Sequence, residues 1–352
     1  MCAIDSTGQP EDVGNRLVRV GLRGWTEMFA RVFVIVAVGL STSVVPAAVA
    51  VADGQGGGRG VIVAERFSAA NGGNPQIVAV DPARGGVRVL TSGNQDLVPD
   101  ISADGRSVVF ERCVQALDCG EIGKVNIWIM RSDGSHAHPL TACDGTKCLG
   151  SFDPAFSPDG RSVAFTQDRL DGHGVNFNGV FIMRTDGTHL RRITSTGPDA
   201  LPDGQPHFSP DGRRLVFQRE EPTRTQLMIV RIDGSGLRRL LPGVDGFAPS
   251  WAPSGERIAF TLAHHAAQPT SDIATVRPDG TGLRLLTHTT ADTSAFTPAY
   301  SPPGSRLVWS QSTATGCRLV VATATGRNPR PLPTGDGCIL DPSWGRSGPH
   351  SD

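Results

Sequence analysis

The chain has 352 residues, of which 38% are hydrophobic and 19% charged, with 43 Gly and 26 Pro. That is ample chain to bury a large core, and the turn-forming content favours many short strands over long helices. A formal net charge of −1 excludes a global field that would draw nucleic acid or an anionic membrane.

In chain order, residues 1–52 read as a leader. Arg31 precedes an apolar run from Val32 to about Val45, then Pro46 and the small-residue sites Ala48-Val49-Ala50 and Ala50-Val51-Ala52. This matches a secretory signal beginning near Met28 and cleaved before a Gly-rich linker at 53–58. The apolar run is short for a membrane span, so the mature chain is expected to be secreted, periplasmic or in the cell envelope. An uncleaved anchor facing outward is the alternative. Loss of the leader removes Cys2 and leaves Cys113, Cys119, Cys143, Cys148, Cys317 and Cys338, an even set that reads as disulfides in an exported protein. The spacings C-x5-C and C-x4-C miss the usual zinc pattern.

From residue 59 to 346 the chain repeats. Six segments place Pro before any residue, a large apolar residue and a small one: PDIS, PAFS, PHFS, PSWA, PAYS and PSWG, with prolines 43 to 55 residues apart. The first five are followed by a turn and an alternating strand, as in FSPDGRSVAF and FSPDGRRLVF; then come an apolar strand, a second turn and a short strand ending in Leu or Ile, as in VFIMRTDGTHLRRIT. Asp-Gly suits the positive φ of tight hairpins. Each unit is thus four strands, A to D. Repeats of this length and content predict an all-β, six-bladed β-propeller of four-stranded antiparallel blades. The sixth unit supplies only a strand A, and GVIVAERF, PQIVAVD and VRVLT near the start supply B, C and D, so the last blade is closed by N- and C-terminal strands. Residues 347–352 are expected to be a disordered tail.

These repeats resemble those of TolB-type six-bladed propellers, which also occur in the propeller domain of prolyl-oligopeptidase-like peptidases. The resemblance covers nearly the whole expected mature chain and implies the fold. TolB also carries an N-terminal α/β domain, which is not expected here because few residues precede the first strand.

Up-and-down connectivity puts the A–B and C–D turns on one face and the longer B–C and D–A loops on the other, where binding usually concentrates. All six late cysteines fall in or beside those loops. Adjacency predicts Cys317–Cys338; Cys113 and Cys119 are expected to pair with Cys143 and Cys148, with local pairs 113–119 and 143–148 as the rival. The starts of the A strands should line the channel mouth, where Asp100, Asp153, His207 and Asp341 form an acidic set able to receive a cation or a basic group; strand capping is the competing reading. No cofactor is expected, a channel-bound Ca2+ being the alternative. His136, His138, His264 and His265 read as solvated, and Arg191-Arg192 and Arg238-Arg239 as charges that guard edge strands.

No nucleophile elbow, phosphate loop, dinucleotide fingerprint or H-E-x-x-H motif occurs in the sequence. The expected function is therefore a non-enzymatic, monomeric binding or scaffold protein that takes a protein, peptide or envelope glycan on the B–C/D–A face. One alternative is a lyase or hydrolase acting at the channel mouth. Another is a propeller accessory to an oligopeptidase-like enzyme.

Overall fold

The computed structural model describes residues 60–68, 73–113, 125–170, 176–196, 201–264 and 270–347. The expected leader and linker, the expected tail beyond Ser347, and Arg59, Cys119 and His265 lie outside the described residues.

Antiparallel pairing gives six four-stranded sheets. Blade 1 pairs Cys338–Arg346 with Gly60–Phe67, Gln76–Val80 and Val87–Val89, so the chain's last strand is the innermost strand of its first blade. In blades 2 to 6 strand A is Gln95–Ile101, Cys148–Phe156, Asp203–Phe208, Gly246–Trp251 and Thr293–Tyr300, and strand B is Ser107–Cys113, Ser162–Leu170, Arg214–Glu221, Ile258–His264 and Arg306–Thr313. Strand C is Val125–Arg131, Asn176–Arg184, Arg224–Arg231, Thr270–Val276 and Gly316–Thr323, and strand D is a two-residue edge in each of those blades.

Neighbouring blades bury one core at each junction. Val108 and Phe110 pack toward blade 1 against Val63 and Ile77, while Val109, between them in sequence, packs toward blade 3 against Phe165 and Phe181. The alternation repeats around the ring and ends with Val308 and Leu319 of blade 6 against Ile62 and Val78 of blade 1. Both sheet faces are covered, so strands B and C read as apolar runs.

The recurring motif is structural. In FSPDGRS the Ser157 hydroxyl donates to Asp159 at 2.6 Å, the Ser162 N–H donates to Ser157 Oγ at 2.9 Å, and Gly160 takes φ +68°. Ser102 with Asp104 and Ser209 with Asp211 repeat the arrangement. The Thr that closes several D strands is equally placed: the hydroxyls of Thr91, Thr141, Thr194 and Thr287 each accept the N–H that opens the C-strand pairing.

Two expectations change. The repeated strand-D arginines do more than guard an edge. Arg88 reaches the carbonyls of Ser132 and Asp133, Arg191 that of Ile232, Arg238 that of Pro278 and Arg330 that of Pro82, in each case on the next blade's C–D turn. They are inter-blade clamps. The B–C connection of blade 4, one of those expected to be longer loops, is instead a hairpin within the segment REEPTRTQ, where Glu221 pairs directly with Arg224. Alternating polar residues there disguise two strands that outrun the core.

Candidate functional site in the channel and on the loop face

The inner strands carry a six-fold feature. Val98, Asp153, Gln205, Ala248, Thr297 and Asp341, each the residue before a repeat proline, all take positive φ, between 44° and 54°. Each lies where the pairing of strand A with strand B shifts register. Left-handed backbone at a non-glycine residue costs about 1 kcal/mol or more, and the bulge is what holds it there.

What the bulge achieves is visible in the hydrogen bonds. It turns each N–H out of its own sheet toward the preceding blade. Val98 N–H donates to Glu65 at 3.1 Å, Asp153 N–H to Glu111 at 2.6 Å, and Gln205 N–H to Asp153 at 3.0 Å. Ala248 N–H donates to Gln218 at 3.2 Å, Thr297 N–H to Thr261 at 3.0 Å, and Asp341 N–H to Ser310 at 3.1 Å. The acceptors share one place on strand B, except in blade 3. There the Thr166 hydroxyl donates to Asp153 at 3.3 Å, and the Asp153 carboxylate bridges to blade 4.

The four residues expected at the channel mouth sit instead in the middle or the second half of strand A, in the channel wall, because several strand residues precede each proline. They fall into two layers. Asp153 and Asp341 occupy the bulge layer; Asp100 and His207 lie two residues further from the loop face, roughly 7 Å along the strand. Asp100 accepts Phe156 N–H at 2.7 Å and the Ser343 hydroxyl at 2.5 Å, while His207 Nδ1 accepts Trp251 N–H at 3.3 Å. Asp100, Asp153 and His207 thus accept an N–H from a neighbouring strand A, and Asp153 and Asp341 share their layer with two acids that the sequence analysis did not single out.

Those two are Glu65 and Glu111, which are 0% and 3% exposed. Burial raises the carboxyl of each well above the usual range, and the charges of Asp341 beside Glu65 and Asp153 beside Glu111 push the same way. Burial also raises Asp153 to about 7, and raises Asp341 against the hydrogen bond it receives from Glu65. Oε2 of Glu65 accepts Val98 N–H, whereas its Oε1 is buried without a hydrogen-bond partner. In the second layer burial raises Asp100, opposed by the Ser343 bond, and lowers His207, opposed by the Asp100 charge. The bulge layer therefore gathers four carboxyls, Glu65, Glu111, Asp153 and Asp341, whose hold on a proton burial strengthens. Among the described residues no group of three or more His, Cys, Asp or Glu side chains has metal-binding geometry.

The two faces of the disc differ. The A–B and C–D turns are five to seven residues long throughout, whereas B–C connections run from two to eleven residues and D–A connections from five to ten. Disulfides brace the variable end. Cys317 in a B–C hairpin is bonded to Cys338 at the start of the closing strand, with 4.9 Å between Cα atoms. Cys143 is bonded to Cys148 within one D–A loop, at 4.6 Å, and not across to Cys113 or Cys119. The short turn already brings the two Cα atoms into disulfide range. Cys113 at the end of its strand B is also disulfide-bonded. Cross-links of this kind fit an oxidising compartment outside the cytoplasm. Cys317–Cys338 joins blade 6 to blade 1 across a separation of 21 residues. Replacing both by Ser is expected to cost about 3 kcal/mol in a urea titration, and a loss below about 1 kcal/mol would show that the strand pairing alone closes the ring.

On the same end, Asp203 pairs with Arg219 and Asp96 with Arg112, each through two hydrogen bonds of 2.6 and 2.9 Å. His264, expected to be solvated, meets Asp272 at 2.9 Å.

The fold and its inner ring define a six-bladed propeller with velcro closure. The family profile described as "TolB beta propeller domain" matches residues 123–348, and the chain belongs to that family. A TolB homolog of Chlorobium luteolum is 32% identical over 150 residues, which cover 43% of this chain and 31% of the relative. The chain spans less than half the length of the curated relatives it matches. TolB from Acinetobacter baumannii superposes with a TM-score of 0.64 at 19% identity, over 81% of this chain and 66% of that one. Oligogalacturonate lyase from Vibrio parahaemolyticus superposes at 0.51 and 14% identity, over 77% and 78%. At these identities the structural likeness speaks for the fold.

Proposed function

We propose that this chain is an exported, non-enzymatic binding propeller that captures a protein, peptide or cell-envelope glycan on the face carrying its B–C and D–A loops. The observation that carries the reading is that, among the described residues, the disulfides brace that face. Irregular loops on a rigid disc present side chains in fixed positions, and cross-links reduce the ordering cost of binding. Asp100, Asp153, His207 and Asp341 act in this reading as the acidic lining beneath the face, available to a basic group that reaches into the channel. Their hydrogen bonds between blades fit a scaffold role better than turnover.

The test is capture from an envelope extract by the disulfide-intact propeller. Replacing residues 171–175 between strands B and C of blade 3 by an Asn-Gly turn should remove the captured partner. Arg213→Ala with Glu256→Ala, in the A–B turns of the opposite face, should retain it. Capture that survives the first change and is lost with the second would place binding on the wrong side of the disc and overturn the proposal.

A further inference from the structure

Away from the channel, blade 6 and the connection leaving blade 5 enclose a pocket of about 360 Å3, a size within the range of small-molecule sites. Its wall on blade 6 is a row across three strands: Trp309 on B, Val320 on C and Pro331 on D, which are direct neighbours in the sheet register. Gln311 and Arg318, paired one step further along, form the rim. Thr287 and Thr289, from the connection leaving blade 5, with Thr293 at the start of the next strand, form the opposite side.

Trp309, like Trp128 and Trp344 elsewhere in the ring, keeps an indole N–H without a partner, and of the three it is the one in the wall of this pocket. Its side chain is 2% exposed, and its Nε1–H is buried with no acceptor. Four of the other five blades place a phenylalanine at this position of strand B, namely Phe110, Phe165, Phe217 and Phe260. A Phe packs there without a donor, whereas an unmet buried N–H costs about 1–3 kcal/mol. The indole nitrogen is therefore the group in this wall that gains most from a ligand acceptor.

The rest of the lining says what that ligand is. Arg318 donates through Nε and Nη2 to Gln311 Oε1, at 3.0 and 2.9 Å, which aligns the guanidinium and leaves Nη1 and the Gln311 amide N–H groups available. No Asp or Glu lines the pocket, so its charge is positive. The hydroxyls of Thr287, Thr289 and Thr293 already donate, to Asp272, to Ser271 O and to Thr290 O. Thr287 and Thr293 also accept the N–H of Ile273 and of Thr290, so each of those two keeps one lone pair, and toward a ligand all three hydroxyls can only accept. Donors and a cation at one end, hydroxyl acceptors at the other and a Val–Pro wall between them match a ring that bears several hydroxyls, an apolar face and one carboxylate. We propose that this pocket binds an acidic monosaccharide unit of the uronate type, with its carboxylate on Arg318 and Gln311 and a ring oxygen on Trp309 Nε1–H. The inference does not depend on macromolecular capture by the loop face.

Titration of the intact, disulfide-bonded protein with sodium D-galacturonate, followed by calorimetry and tryptophan fluorescence, tests it. Saturable binding is expected, with D-galactose about tenfold weaker for want of the charge-assisted bond. Arg318→Ala should weaken galacturonate by about tenfold and Arg318→Lys by less, since a lysine keeps the charge and loses the fork. Trp309→Phe should weaken both sugars by a similar factor, because it removes a bond that either can make. Unchanged melting temperatures for the Arg318 variants separate loss of binding from loss of fold. Absence of saturable binding by either sugar, or galacturonate binding untouched by Arg318→Ala and Trp309→Phe, would overturn the proposal. Equal affinity for galactose and galacturonate would refute the acidic assignment.

Discussion

Replacing Asp203 by Ala is expected to cost about 3–5 kcal/mol of folding stability, the range for breaking a buried ion pair from one side. Asp203 is 2% exposed and accepts three bonds: Nε and Nη2 of Arg219 at 2.6 and 2.9 Å, and the Thr194 hydroxyl at 2.6 Å. Its own N–H donates to Asn178 at 2.7 Å. The carboxylate thus ties strand A of blade 4 to its own strand B and to the end of blade 3. Removing it leaves a guanidinium whose side chain is only 21% exposed without its counter-charge. Asp203→Asn should recover only part of the loss, because an amide offers one acceptor where two are used and turns an N–H2 toward a cation. The contrast within this protein is Asp104 with Arg106, 3.9 Å apart with side chains 60% and 68% exposed, where Asp104→Ala removes a solvent-screened pair in a turn and should cost well under the Asp203 change. Urea unfolding of the two variants side by side gives the comparison, and equal losses would mean that burial does not set the value of these pairs.

The blade count, the hairpin turns and the closing strand were legible because each is written in local chemistry that recurs. Asp-Gly turns, apolar alternation and Pro-x-apolar-small appear in nearly every repeat, and the missing strands at one end have counterparts at the other. Glu65 and Glu111 were hidden because each follows an apolar run, where a polar residue reads as the exposed end of a strand. A signal did exist: the equivalent places carry Glu65, Glu111, Thr166, Gln218, Thr261 and Ser310, all able to accept a hydrogen bond, which alignment of the six strand B segments would have exposed. The positive φ at the residue before each proline could not be read, since only Asp153, Asp341 and, at a stretch, Gln205 are residue types that tolerate it easily, whereas Val98 and Thr297 are β-branched. There the tertiary ring overrides local preference. The choice between Cys143–Cys148 and a pairing across to Cys113 or Cys119 was open for a similar reason, because the separation of two neighbouring loops depends on the ring as a whole.

Asp153→Asn is expected to leave the propeller more stable than the native chain at about pH 8 and to flatten the decline of its stability with rising pH. In the folded protein Asp153 keeps its proton to about pH 7, chiefly through burial, whereas the unfolded chain releases it near pH 4. Between those values the folded state binds the extra proton, so stability falls as pH rises. The contribution is complete below the unfolded value and gone above the folded one. A displacement of about three pH units corresponds to something on the order of 4 kcal/mol, and Glu65 and Glu111, raised by the same burial, act with the same sign. Asn removes the titration at this site, keeps an oxygen to accept Gln205 N–H and suits the left-handed backbone at φ +54°. The gain at about pH 8 should be roughly 2 kcal/mol or more, with near equality at about pH 5, read from urea midpoints across that interval. A bound cation would reverse the pattern, because it holds carboxylates ionised: native stability would then rise with pH, and Asn would lower it. The same titration with added Ca2+ therefore decides what fills the channel. Recovery of native stability at about pH 8, absent in Asp153→Asn, would make the ring a cation site, and an unchanged curve would leave protons as what its carboxyls hold.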